Sequence, residues 1–293
     1  MVAFEHITPT SEFPPSQNIL IWIGGLGDGL LTTKYPSVIA DSLPPDWSLA
    51  QVLLSSSYIG WGTSSLKKDA EELAKCVAYF REIKKGKIVL MGHSTGCQDV
   101  MEYLTGSGCK ERPGVDGGIL QASVSDREAM KEMMAPSLYE RSVLAAQAMV
   151  AVGKGEEIIP PSETGGFYPD PVCARRWLSL ASPTKNGEDD YFSSDLSDDQ
   201  LRQSFGNLPA RSPLCILYSG KDEYVPSFVD RKALVESWIG VVKAGTGKVD
   251  EEFSGVVEGA THDLKKDPEE VVQDLVRRVL GFLKNLEKTD AHL

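Results

Sequence analysis

Histidine is scarce in this chain: His6, His93, His262 and His292 are the only four in 293 residues. Any histidine-dependent chemistry must use one of them. The five cysteines, Cys76, Cys97, Cys109, Cys173 and Cys215, are odd in number, and no two have CxxC spacing. That argues against a disulfide framework or a cysteine zinc site, and for free thiols in a reducing compartment. No apolar run approaches the roughly 18 residues a membrane helix needs. The opening stretch, MVAFEHITPTSEFPP, lacks the basic segment and apolar core of a secretory leader. Basic charge is also short, with 30 Lys+Arg against 42 Asp+Glu and a formal net charge of −12. Nucleic-acid binders usually present a basic face, so no nucleic-acid partner is expected. A neutral or cationic small molecule fits the charge better. The expectation is a cytoplasmic protein with neither a membrane nor a nucleic-acid partner.

What is present is an alternation. Short β-rich apolar runs alternate with helix-period segments, the pattern of a parallel sheet covered on both faces. Runs at Asn18–Ile23, Ser48–Leu54, Lys87–Met91, Val115–Val124, Pro213–Ser219 and Gly255–Glu258 read as strands. Leu66–Lys85 reads as a helix, with Leu66, Ala70, Leu73, Val77, Phe80 and Ile83 on one face, Ser65 as cap and Gly86 as stop. A helix follows from about Cys97 to Leu104. Asp267-Pro268-Glu269-Glu270 reads as a capped start for a last helix reaching about Leu286. Residues 125–210 break the alternation. Ser125 with Glu128 forms a capping box, Pro136 divides two helical stretches, and a Pro/Gly-rich loop and an acidic run, Glu188–Asp195, follow. We therefore expect an α/β-hydrolase fold, with residues 1–124 and 211–293 as core and 125–210 as an inserted cap over the carboxyl ends of the strands.

Gly92-His93-Ser94-Thr95-Gly96 matches G-x-S-x-G between a buried strand and a helix. The chemistry needs a serine on a sharp strand-to-helix turn that exposes its hydroxyl, and small neighbours let that turn close. The bare pattern is common by chance, and the bland alternative is an ordinary glycine-rich βα turn; the strand-to-helix setting is the one the chemistry requires. Ser94 is thus the candidate nucleophile. His262 follows the last strand, where this fold presents its base. His6 lies in the N-terminal tail, His292 is penultimate, and His93 sits beside the serine, where it would point away from the base position. In the chain order Ser…Asp…His, the acid that orients His262 is expected at Asp222, just past a strand, with Glu223 and Asp126 as rivals. The oxyanion requires two preorganised amides. Thr95 supplies one, and the Gly24–Gly29 loop the other, through Leu26 or alternatively Gly27. That loop is no phosphate cradle, since it lacks the Lys-Ser/Thr of a P-loop and does not fit G-x-G-x-x-G.

Among aromatic residues, Trp61, Trp177 and Tyr191 are candidates for the substrate wall, as are Phe167, Tyr168 and Phe192, although aromatic residues more often serve as core. Arg175-Arg176 would grip a carboxylate or be salt-bridged. The acidic run reads as solvated surface, with attraction of a cationic substrate as the sharper alternative. No cluster of His, Cys and carboxylates has metal-ligand spacing, so neither metal nor organic cofactor is expected.

Four stretches carry a resemblance. They are Gly24–Leu31 (GGLGDGLL), Gly92–Asp99 (GHSTGCQD), Leu120–Glu128 (LQASVSDRE) and Asp189–Leu196 (DDYFSSDL). With these the sequence resembles the SidJ-type fungal siderophore hydrolases. The second stretch is common to many hydrolases, whereas the third and fourth are not dictated by general fold requirements. The resemblance implies an intracellular esterase that opens the ester bonds of a cyclic trihydroxamate, fusarinine-type siderophore and so frees iron, with Ser94, Asp222 and His262 as triad. Such rings, with free amines, are cationic. A carboxylesterase or lipase on another ester, an acyltransferase, and a ligand-binding protein that kept the fold are the competing readings.

Overall fold

The computed structural model describes residues 1–6 and 16–290. In chain order the elements are β1 (Val2–Glu5), β2 (Asn18–Ile23), α1 (Tyr35–Ser42), β3 (Trp47–Leu53), α2 (Leu66–Ile83), β4 (Ile88–His93), α3 (Gly96–Thr105), β5 (Gly117–Gln121), α4 (Asp126–Met133), α5 (Pro136–Ala151), α6 (Pro161–Thr164), α7 (Ala174–Ala181), α8 (Asp198–Gln203), β6 (Leu214–Ser219), α9 (Arg231–Ala244), β7 (Gly255–Val257) and α10 (Glu269–Asp290). The strands form one sheet in the order β1-β3-β2-β4-β5-β6-β7. Among the described strands of this sheet β1 pairs antiparallel with β3, and the other pairings are parallel.

A parallel sheet covered on both faces needs strands apolar throughout. β2, Asn-Ile-Leu-Ile-Trp-Ile, is buried along its whole length. Its side chains alternate between two apolar layers, as the period of two demands. Ile19, Ile21 and Ile23 join the layer containing Phe80 of α2, Val100 of α3 and Trp238 of α9. Leu20 and Trp22 join the layer containing Ile39 of α1 and Leu275 and Phe282 of α10. The helices between β5 and β6 build a third apolar cluster, which includes Met130, Tyr139, Val143, Trp177 and Leu180, and Trp61 reaches it from the loop after β3.

The structure differs from the sequence expectations in local detail. β1 lies in the stretch read as tail, too short for an alternating pattern to register, and His6 follows it, with its Nε2 2.9 Å from Gln51 Nε2. β5 is shorter than its apolar run because Ala122 takes φ 51° and turns the chain. Ser125 accepts the Glu128 N–H at 3.0 Å, but Glu128 does not complete the box. Its carboxylate accepts the Ser194 N–H at 3.0 Å and hydroxyl at 2.7 Å instead. The carboxylate of Asp267 takes the N–H and hydroxyl of Thr261, at 2.7 and 2.9 Å. It therefore braces the loop that carries His262. The penultimate His292 lies outside the described residues.

Candidate active site

Ser94 closes β4 onto α3 with φ 53°, in the left-handed region that an L-residue rarely occupies. Its flanking glycines are required sterically. A methyl on Gly92 would lie 2.2 Å from Gly96 O, and one on Gly96 would lie 2.4 Å from Ile23 O. The turn is fixed by Ser94 N–H donating to Gln121 O at 3.0 Å and Cys97 N–H donating to Ser94 O at 2.8 Å. The Cys97 thiol is buried beneath, bonded to the carbonyls of Gly92 and Gln121, and burial holds its pKa well above the usual thiol value.

Ser94 and His262 both line one cavity of about 440 Å³. Asp222, whose side chain is fully buried, places Oδ2 2.8 Å from His262 Nδ1. Its other oxygen accepts the Tyr224 N–H at 3.0 Å. Glu223 holds the backbone of the same histidine, accepting His262 N–H at 3.0 Å. Asp126 is occupied by Gln98 Nε2 at 2.9 Å. Of the three candidate acids, then, Asp222 is the one hydrogen-bonded to the imidazole. Burial pulls the His262 pKa down, but the hydrogen bond and charge of Asp222, with Glu223 and Asp28 behind them, outweigh it and leave the pKa raised above 6.5. Among the described residues no hydrogen bond joins the Ser94 hydroxyl to His262. Such bonds are often loose until substrate binds.

Leu26 lines the cavity beside Ser94. The neighbouring Gly25 N–H donates to Asp28 Oδ2 at 2.8 Å, which closes the loop on itself. Among the described residues, neither the Leu26 nor the Thr95 amide donates to a protein acceptor. His93 does not point away as expected. Its ring lies 4.9 Å from that of His262 and stacks on Trp22, and it shares the cavity.

The wall residues need correction. Trp177 is buried in the inserted cluster, with its indole N–H on Ser142 Oγ at 3.1 Å. Tyr191 is turned toward α3, where its hydroxyl meets Glu102 at 3.0 Å, and Phe192 is core against Trp238 and Phe205. Trp61 stands one layer behind the wall. It is edge-on to Tyr168 at 4.8 Å, and its N–H is on Asp170 at 3.0 Å. The apolar and aromatic residues that line the cavity with Ser94 and His262 include Val124, Met130, Met133, Phe167, Tyr168 and Tyr224. Helical spacing on α4 could have suggested the two methionines, whereas nothing local marks Tyr224.

The acidic run is only partly solvated: Ser194 and Asp195 are exposed, but most of the run is turned inward. Asp189 is buried against the buried Arg176, which also donates to Trp61 O at 3.1 Å. Asp190 and Asp195 both bind Arg127, and Ser193 meets Ser125 at 2.5 Å. The stretches Leu120–Glu128 and Asp189–Leu196 are therefore two halves of one polar interlock. Arg175 is paired with Glu156 at 2.6 Å, away from the cavity. Among the described residues no group of three or more His, Cys, Asp or Glu is arranged to hold a metal ion, and no helix is long and apolar enough to cross a membrane.

Residues 1–284 match the family described as "Protein of unknown function (DUF1749)". The chain is 38% identical to the fusarinine C esterase SidJ of Aspergillus fumigatus, over 98% of this chain and 94% of that one. A solved siderophore hydrolase, EstB, also from Aspergillus fumigatus, superposes with TM-score 0.83 at 37% identity, covering 97% of this chain and 94% of that one. A structure described as an alpha/beta hydrolase fold protein of unknown function superposes with TM-score 0.65 at 22% identity, covering 95% and 90%.

Proposed function

The chain belongs to the DUF1749 family and has the α/β-hydrolase fold, and from that footing we propose that it is a serine esterase acting on the ester bonds of a cyclic trihydroxamate siderophore of the fusarinine type. Ser94 is the nucleophile, His262 the base and Asp222 the orienting acid. The observation that carries the reading is the buried Asp222–His262 pair, 2.8 Å apart, opening on the same cavity as a serine held at positive φ.

His262 takes the Ser94 proton through Nε2 as Oγ attacks the ester carbonyl. Asp222 accepts Nδ1–H, which keeps the lone pair on Nε2 and stabilises the imidazolium that forms. The oxyanion is met by the amides of Thr95 and Leu26, which have no acceptor among the described residues. The alcohol end leaves with the proton from His262. Water, deprotonated by the same nitrogen, then releases the acid and restores Ser94. Residues 125–210 act as a cap, contributing Met130, Met133, Phe167 and Tyr168 to the wall.

The substrate assignment is supported by the names of the two similar proteins and by the acidic lining of the cavity, which includes Asp28, Asp126 and Asp263. The test is incubation with ferric and iron-free fusarinine-type rings, with products read by mass. Ring opening and linear hydroxamates are expected, and Ser94→Ala should abolish them while leaving the folded protein intact. Intact rings beside rapid hydrolysis of simple esters would favour the second reading, a carboxylesterase of other esters, which the apolar wall accommodates. A non-catalytic binding protein is disfavoured because serine, base and acid are all present. Covalent labelling of Ser94 by a fluorophosphonate would exclude it.

A further inference from the structure

Asp28 and His93 are among the polar side chains at the cavity wall that the mechanism leaves unused. The hydrogen bonds beneath them fix what His93 presents. Trp22 Nε1–H donates to Tyr35 Oη at 3.0 Å. An indole nitrogen only donates, so the phenol sends its own hydrogen to Gln121 Oε1, 2.9 Å away. That amide oxygen only accepts, and it also meets His93 Nδ1 at 2.6 Å, so His93 carries its hydrogen on Nδ1. The amide nitrogen of Gln121 agrees, facing Ser219 Oγ at 3.2 Å and His262 O at 3.4 Å. Burial, with His262 alongside, pushes the His93 pKa down to about 4. The ring is neutral and its Nε2 is a bare lone pair.

That nitrogen faces Asp28 Oδ2 at 3.9 Å, too far for a hydrogen bond. Both side chains line the cavity that holds Ser94. The site is built, because His93 is only 3% exposed and Asp28 is tied to the Gly25 amide. It also adjoins the nucleophile. A methyl on Gly25 would stand 2.7 Å from Ser94 Cβ and 3.3 Å from Asp28 Oδ2.

We propose that Asp28 and His93 form a subsite for a protonated primary amine carried on the carbon next to the scissile carbonyl, and that this pair selects α-amino esters. The inference rests on the serine-esterase reading above and specifies the group that site recognises. Two acceptors this far apart call for one atom with two hydrogens to give. An ammonium, with donor reach of about 2.8 Å to each, spans them, whereas a hydroxyl or a secondary amide has a single hydrogen and satisfies one. The charge matches too, with one carboxylate and one neutral imidazole facing one cation. The other ionisable groups on the cavity wall are Asp126, Asp263, Lys265, His262, Tyr168 and Tyr224.

The test uses the methyl esters of alanine, N-acetylalanine and N,N,N-trimethylalanine, with kcat/KM measured for the full-length protein and for Asp28→Asn. A charge-assisted hydrogen bond corresponds to a preference of about tenfold to a hundredfold. The wild type should favour the free amine by that factor over both the acetylated and the trimethylated ester, the latter keeping the charge but not the donors. Asp28→Asn should erase most of the ratio. The wild-type comparison alone is decisive if the variant does not fold. Equal rates on the three esters would overturn the subsite. So would a preference kept by the trimethylated ester, which would trace to the diffuse acidic field, or one unchanged in Asp28→Asn. Ser94-dependent hydrolysis without amine preference removes the subsite alone. Absence of hydrolysis of any ester, these and simple aryl esters alike, removes the esterase reading and the subsite with it.

Discussion

Replacing Asp222 by Asn changes one atom in a fully buried side chain, yet it should nearly silence the enzyme. Tyr224 N–H needs an acceptor at Oδ1, so the amide oxygen of the asparagine stays on that side. Its NH2 then faces His262 Nδ1, where the carboxylate oxygen stood 2.8 Å away. Two N–H groups cannot share that contact, and the imidazole responds by moving its hydrogen to Nε2. In that tautomer no lone pair remains to take the Ser94 proton. The same swap in a Ser-His-Asp protease lowers kcat by about 10⁴-fold, equivalent to about 5 kcal/mol of barrier. The pH profile supplies a second readout. In the wild type His262 is raised above 6.5, chiefly by Asp222 acting against burial. The rate must therefore fall on the acid side through a midpoint above 6.5. With the charge gone burial is less opposed, and the residual activity should fall at lower pH. Glu223→Gln is the control, since an amide oxygen still accepts His262 N–H; its kcat should stay within about tenfold of wild type, because it retains the contact and the tautomer. The assay is hydrolysis of a simple aryl ester from pH 5 to 9. An Asp222→Asn protein within tenfold of wild type, with an unmoved acid limb, would refute the tautomer reasoning.

Two further expectations concern stability. Arg176→Ala strands the buried carboxylate of Asp189 and should cost about 3–5 kcal/mol in denaturant unfolding, whereas Arg176→Met with Asp189→Leu should recover most of it; a loss below about 1 kcal/mol for the single change would contradict the role given to the pair. Asp126 has its folded pKa raised to about 7 by burial, above its usual 3.8. The stability it contributes is full below the unfolded value and is lost as pH rises through about 7. Asp126→Asn should therefore gain in Tm on the wild type between pH 5 and pH 8, and an equal gap at both pH values would count against it.

The elements that position the site were legible because their signals are local. The continuous apolar run of β2 and the glycines around Ser94 each follow from what one short segment must do, and the chain order of the candidate serine, acid and base is a simple rule of the fold. What was hidden depends on residues far apart in the chain. His93 looked misdirected because its orientation is set by Gln121 and, through it, by Tyr35 and Trp22. The acidic run looked solvated because its partners, Arg127 and Arg176, lie on other helices. Glu128 had the correct spacing for a capping box but found Ser194 instead. The aromatic wall followed the same rule. Trp177 and Tyr191 were claimed by partners at Ser142 and Glu102, while Phe167 and Tyr168, candidates from the sequence as well, do reach the cavity.

Arg176 reaches from α7 to the carbonyl of Trp61 while holding Asp189, and Arg127 ties α4 to the segment at Asp190 and Asp195. Separating these segments would break the buried Arg176–Asp189 pair and the Arg127 pairs together. The inserted helices α4 and α7 are thus pinned to the acidic stretch by two guanidinium groups whose partners lie on the same short segment.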